Sequence, residues 1–150
     1  MSSVLRISDA AALAFHAMVL LAVHPETGIS TRRIARKLQV SEAHLSKVLQ
    51  RLTKVGVATS TRGPGGGFTL ARPAEDITLL ELYEAIEGPL VATHCLMRTR
   101  ICNGKRCIFG DLLRTVDGQV RQYLAGTRLA ELTGVYEPET ERAERVDDDA

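Results

Sequence analysis

The chain has 150 residues, of which 45% are hydrophobic, so it is long enough for one compact domain with a real core. Its formal net charge of +1 does not indicate any class of partner. The apolar run at residues 10–23 is shorter than the roughly 20 residues that a membrane span needs. Three cysteines within residues 95–107 fit poorly with the disulfide framework of a secreted protein. We therefore expect a cytoplasmic protein that does not enter a membrane.

The distribution of charge is more informative than its sum. Residues 30–72 contain nine lysines and arginines but one acid, Glu42, whereas residues 137–150 contain seven acids and two arginines. A basic segment hidden in a neutral chain is typical of a polyanion-binding protein. Charge alone still favours the plainer interpretation of a solvated helical face, so further evidence is needed.

Helix-capping residues divide the first half of the chain into three predicted helices. In each, a side chain that can accept a backbone N–H precedes apolar residues at helical spacing. These helices follow Ser8 or Asp9, Ser30, and Ser41. The third is expected to end at Gly56, and a turn at 39–41 joins it to the second.

A β-hairpin and a fourth helix are expected next. Short strands at 57–61 and 68–71 flank the loop 62–67, in which glycines give the backbone access to positive φ. Thr78 and Glu81 then form a capping box that opens a helix to Ile86.

The last third of the chain contains one long predicted helix. Apolar residues recur every four positions from Ile108 to Leu124, which predicts an amphipathic helix over 108–125. Thr127 is expected to cap a final short helix. Residues 137–150 carry like charge and no apolar pattern, which predicts disorder.

Two short helices followed by a basic hairpin are typical of DNA-binding proteins. Ser41 precedes the second helix of this pair, which is the third predicted helix. The free N–H groups at the start of that helix can meet a phosphate. On this helix Lys47 can donate to guanine and Glu42 can accept from cytosine. Arg62, at the hairpin tip beside glycines, can enter a narrow minor groove. The residues expected to face DNA are Ser41, Glu42, His44, Ser46, Lys47, Arg51, Arg62 and Gly65.

The segment from Arg62 to Phe68, which follows a Leu-x-x-x-Gly helix end, resembles the wing of the Rrf-type transcription regulators. This family contains the iron–sulfur assembly regulator and the nitric-oxide sensor. The resemblance covers roughly residues 4–133 and includes the run Ala85-Ile-Glu-Gly88. It implies a mainly α fold with a small β-hairpin, a winged helix-turn-helix, a homodimer, and a long helix that crosses to the partner subunit.

Cys95, Cys102 and Cys107 lie between the fourth helix and the long helix. Zinc sites usually combine a tight Cys-x2–4-Cys pair with a second pair of ligands, whereas here only Cys102 and Cys107 have such a spacing. The residues alone leave an iron–sulfur cluster, zinc and free redox-active thiols all open. The position of the triad matches the cluster loop of the family, and this resemblance implies a 2Fe–2S or 4Fe–4S cluster.

The fourth ligand of such a cluster is open. Gly110 stands where the assembly regulator has a histidine, and Ala12 stands where some relatives have an acid from the other subunit. Nearby candidates are Asp9 and His16, one turn before and one turn after Ala12, with His94 and an exogenous thiol or water as further alternatives. A core histidine at the dimer interface is the plainer interpretation of His16.

These observations favour a dimeric regulator, and a repressor rather than an activator, that binds a double-stranded DNA operator under the control of an iron–sulfur cluster. A metal-free thiol sensor of the same fold is the alternative. A thiol oxidoreductase is disfavoured because the chain has no Cys-x-x-Cys motif, catalytic triad or nucleotide loop, so we expect no enzyme activity. The expected divisions are a DNA-binding domain (1–90), a cluster loop (91–110), a dimerisation region (108–136) and an acidic tail (137–150).

Deletion of residues 137–150 is expected to leave folding intact and to tighten non-specific DNA binding, because the acidic tail repels phosphate. Binding by the full chain is expected to fall steeply with salt, since its basic segment displaces counterions. Titration of random duplex DNA with both chains at two salt concentrations checks this. Weaker non-specific binding after truncation, or a flat salt dependence, would contradict the prediction.

Overall fold

The computed structural model describes residues 5–136, which form five α-helices and one β-hairpin. The helices are α1 (Asp9–Val23), α2 (Thr31–Leu38), α3 (Glu42–Lys54), α4 (Leu79–Glu87) and α5 (Leu112–Gly126). The strands are β1 (Ala58–Thr61) and β2 (Gly67–Leu70), and short 3-10 helices lie at Ala74–Asp76 and Leu129–Val135. The predicted mainly α fold with a small hairpin is confirmed. The acidic tail lies outside the described residues.

Helix α1 forms the centre of the core. Nine of its fifteen residues are buried, including Leu13, Ala17, Leu20 and Leu21 of the predicted apolar stripe. Burial extends well beyond that stripe, as expected for a helix that is apolar nearly all round. It packs against α2, α3, α4, β2 and the last 3-10 helix. Within residues 5–136, no helix is both long enough and apolar enough to cross a membrane.

Side-chain caps begin the first four helices as predicted. The hydroxyls of Ser8, Ser30 and Ser41 each accept the N–H of the third residue after them. Thr78 and Glu81 form the expected reciprocal capping box at the start of α4. Between α2 and α3, Gln39 adopts a left-handed conformation with φ 56°, which closes the tight turn of the helix pair.

Two predictions for the C-terminal region are wrong. Helix α5 begins at Leu112 rather than Ile108, because Gly110 turns with φ +56° and Ile108 stands 97% exposed. Thr127 ends α5 instead of capping the next helix, and its backbone carbonyl accepts from Leu79 N–H at 3.1 Å. Tertiary pairing with the start of α4 therefore takes precedence over the local capping signal.

The hairpin is joined to the start of the helix pair. Strands β1 and β2 pair antiparallel, with Thr61 opposite Gly67 at the loop, and lie within one residue of the predicted strands. Ile29, just before α2, exchanges two backbone hydrogen bonds with Phe68, at 3.0 and 2.8 Å. The hairpin is thus fixed to the segment that leads into α2.

Gly67→Ala is expected to destabilise the fold by about 1–3 kcal/mol, a typical cost of overpacking. A Cβ at residue 67 would lie 2.5 Å from the carbonyl carbon of Ile29, so the seam with Phe68 must open. Gly65→Ala is the matched control because a Cβ there meets nothing within 4 Å. Urea unfolding of both variants measures the difference. Equal stabilities would show that this close approach does not constrain the hairpin.

Candidate DNA interface and cysteine loop

Helix α3 separates an apolar face from a polar one. Leu45, Val48, Leu49 and Leu52 are buried in the core. The opposite face is exposed and consists of Glu42, Ala43, His44, Lys47, Gln50, Arg51 and Lys54. This division brings most of the predicted DNA-facing residues onto one surface of one helix.

Two serines on this surface have partners within α3. The hydroxyl of Ser41 accepts from the His44 N–H at 3.2 Å, which leaves the preceding N–H groups at the helix N-terminus directed outward. Ser46 is half-buried and its hydroxyl accepts from Gln50 at 3.5 Å. Ser41 therefore orders the helix end, whereas Ser46 lies at the edge of the exposed face.

Arg51 has a structural partner that its place in the pattern did not indicate. Its guanidinium donates to the carbonyl oxygen of Ile86 at 2.6 Å, which joins α3 to the end of α4. Hydrogen bonding from Ser8, together with the charges of Arg6 and Arg51, holds the pKa of Glu87 below its ordinary value, against the opposing effect of burial. Only a tertiary structure could reveal this meeting of α1, α3 and α4.

The hairpin tip carries Arg62 and Gly65, and both are exposed. The loop turns tightly through a hydrogen bond from Gly66 N–H to Gly63 O of 2.9 Å. Arg32 and Arg36 on α2 are also exposed, and α2 packs against α3. The sequence predicts the basic segment but does not indicate which of its arginines are exposed on the folded helix pair.

The cysteines lie in an open loop between α4 and α5. Cys95 is half-buried, whereas Cys102 and Cys107 are exposed, as are all residues from 97 to 111. Within the loop, Gly104 turns with φ +77° beneath the side chain of Arg100. Thiols this accessible can reach a metal, an oxidant or another subunit.

The first part of the loop is attached to α5, in contrast to the rest. Asp117 accepts a hydrogen bond from the backbone N–H of Thr93, and the Arg121 guanidinium donates to the carbonyl oxygen of Leu90. Residues 90–94 lie along α5 and line a shallow cavity with these two side chains. Cys95 lies two residues after Thr93, so this attachment limits how far Cys95 can move from α5.

The candidate fourth ligands lie at two separate places. Asp9 and His16 line a groove between α1 and the helix pair, together with Lys37 and His44. The Nδ1 atom of His16 lies 2.5 Å from the hydroxyl of Tyr136. His94 instead belongs to the loop beside α5.

The donor set suits an iron–sulfur cluster by its chemistry, because three thiolates are the ligands that such clusters prefer. Among residues 5–136, however, the structure gathers no group of three His, Cys, Asp or Glu side chains close enough to hold a metal ion. A cluster therefore requires the loop to bring its sulfurs together. Arg98, Arg100, Lys105 and Arg106 would then offset their negative charge.

An apolar groove runs along α1 and α5. It is lined by Leu5, Ile7, Phe15, Val120, Tyr123 and other mostly apolar residues. In α5 only Leu113 and Leu124 are buried, while Leu112 and Tyr123 stand 54% and 60% exposed. The predicted apolar face of this helix is thus largely uncovered within one subunit.

Comparison with known proteins places these features in one family. The family model "Rrf2: Iron-dependent Transcriptional regulator" matches residues 7–134. The HTH-type transcriptional regulator IscR of Photorhabdus laumondii is 30% identical over 134 residues, which cover 89% of this chain and 82% of that protein. IscR of Serratia proteamaculans is 30% identical over 129 residues, which cover 85% and 79%.

Solved structures show the same fold. The structure of CymR, the global cysteine regulator of B. subtilis, has a TM-score of 0.76 at 24% identity, covering 89% of this chain and 99% of that one. IscR of T. potens has a TM-score of 0.68 at 25% identity, covering 89% of both chains. The chain therefore belongs to the Rrf2 family of transcriptional regulators, which are DNA-binding proteins rather than enzymes, and it has their winged helix-turn-helix fold.

Proposed function

We propose that the chain is a redox-controlled repressor that reads a double-stranded operator with α3 in the major groove and the hairpin as a wing. The observation that carries this proposal is the single exposed polar face of α3, flanked by the exposed Arg62 of a hairpin joined to the same helix pair. A major groove admits one such helix. As a DNA-bound regulator it acts in the cytoplasm.

Different residues have different tasks at this surface. The N-terminus of α3, ordered by Ser41, meets a phosphate, while Lys47 and Glu42 face base edges from the exposed side. His44 and Ser46 lie beside them, with Ser46 the more buried of the two. Arg62 and the backbone at Gly65 approach the minor groove.

A homodimer covers the apolar groove and the exposed face of α5. An apolar groove beside the exposed Leu112 and Tyr123 is a surface that a partner subunit can bury. A second copy packed through α5 and α1 hides Leu112 and Tyr123 by a two-fold contact. Two recognition helices then meet half-sites about one helical turn apart, near 34 Å.

The redox control of DNA binding is assigned to Cys95, Cys102 and Cys107. A 2Fe–2S or 4Fe–4S cluster on these thiolates supplies a centre that oxidation, nitrosylation or iron loss can disrupt. The loop is ordered when its sulfurs converge and released when they separate, and α5 receives the change at Asp117 and Arg121. Asp9 or His16 stands as the proposed fourth ligand, and the family resemblance implies that a ligand from the first helix comes from the other subunit.

The alternative is a sensor that uses the same thiols without metal. The exposure of Cys102 and Cys107, and the structural likeness to the cysteine regulator CymR, favour it. In that case two thiols lose two electrons and two protons to an oxidant such as a peroxide and form a disulfide. The DNA-binding surface is the same in both cases.

Arg62→Ala is expected to weaken binding most at operators with A·T-rich flanks, because it removes a minor-groove cation. Lys47→Ala is expected to relax the choice of base within the half-site, at about 1–3 kcal/mol of lost discrimination. Affinities for operator variants at fixed salt distinguish the two effects. Identical, sequence-independent losses would contradict the separate roles.

Each single change of Cys95, Cys102 or Cys107 to serine is expected to abolish the visible absorbance of anaerobically purified protein. The two thiolates that remain are too few soft ligands for a cluster. The effects of the three substitutions should therefore be non-additive. Absorption spectra with iron and sulfide assays measure this, with wild type as the reference. A colourless preparation with one tightly bound zinc, or with three alkylatable thiols and no metal, would overturn the cluster while leaving DNA binding in place.

A further inference from the structure

The segment that runs from the end of α4 toward the cysteines, residues 86–93, is held at both ends by side chains of other helices. We call it the strap. At its first residue, the Ile86 carbonyl oxygen accepts the Arg51 guanidinium of α3 at 2.6 Å. Near its far end, the Thr93 N–H donates to Asp117 of α5, and Arg121 donates to the Leu90 carbonyl oxygen. The recognition helix and the cysteine loop therefore hold the same short piece of chain.

The middle of the strap is fixed as well. The Leu90 N–H donates to the Glu84 carboxylate at 3.0 Å, and the Glu87 carboxylate accepts the Ser8 N–H at the start of α1 at 2.9 Å. Because these two hydrogen bonds also hold the strap, a displacement of one end of the strap strains the contacts at its other end. Cys95 lies two residues beyond Thr93, at the point where the anchored segment ends.

We propose that Arg51, Asp117 and Arg121 are positioning residues that couple the state of the cysteine loop to the placement of the recognition helix. This inference rests on the proposed redox control of DNA binding and names the contacts that carry it. Arg51 then acts mainly through Ile86 rather than through a DNA phosphate. Asp117 and Arg121 determine where Cys95 lies, although neither has a sulfur or DNA as its partner.

The test measures operator affinity of the full-length protein, purified anaerobically, before and after exposure to air. The DNA is a duplex selected from a random pool by the wild-type protein. Wild type is expected to change its affinity by about tenfold or more, in the range typical of allosteric coupling. Asp117→Ala and Arg121→Ala are expected to bind with nearly equal affinity in both states. Asp111→Ala, which removes an exposed ion pair with Arg114 at the start of α5, serves as the matched control and should behave as wild type.

Arg51→Ala separates the two roles of that residue. Loss of a phosphate contact lowers affinity equally in both states and reduces the salt slope by about one. Loss of the strap contact reduces the ratio of affinities between states and leaves the salt slope unchanged. The first pattern would remove Arg51 from the coupling.

A second readout does not depend on DNA and applies to variants whose urea unfolding matches that of wild type. In reduced, metal-free protein, Cys95 is expected to react with iodoacetamide several-fold faster in Asp117→Ala and Arg121→Ala than in wild type. Cys102 and Cys107, which are already exposed, should keep their rates. Unchanged Cys95 rates together with an unchanged affinity ratio would overturn the inference. If wild type itself shows no redox dependence, the proposed control fails instead.

Discussion

The burial of α1 on nearly every side is the constraint on which the rest of the molecule depends. Buried apolar surface is the largest favourable term in folding, and this one helix contributes nine residues to the core. The helix pair, the hairpin, α4 and the last 3-10 helix all pack against it. A change that displaced α1 would therefore move the DNA-facing surface and the base of the cysteine loop together.

Features that depend on neighbouring residues could be predicted from the sequence. The caps at Ser30, Ser41 and Thr78 each need a side chain and a backbone N–H three residues away, so a short pattern suffices. The polar face of α3 followed from its spacing for the same reason. Thr127 carries an equally good local signal, but pairing with Leu79 from a distant part of the chain overrides it.

The residue types of the candidate site could be predicted from the sequence, but the hydrogen bonds that join this region to other helices could not. Cys95, Cys102 and Cys107 could be recognised from their position, whereas the attachment of Thr93 to Asp117 joins residues 24 apart in the chain. Arg51 looks like its exposed neighbours on α3 until its partner on α4 is known. Long-range hydrogen bonds of this kind produce no periodic pattern in the sequence, so only the folded structure shows them.

The seam between Ile29 and Phe68 has a consequence for how such a protein can be regulated. Because the wing is bonded to the chain entering α2, and α2 is joined to α3 by a tight turn at Gln39, we expect the wing and the recognition helix to move together. In the proposed dimer, a signal at the cysteines would then change the separation and tilt of the two DNA-binding units more than the bases that each unit prefers. The protein would thus choose among operators by the spacing of their half-sites.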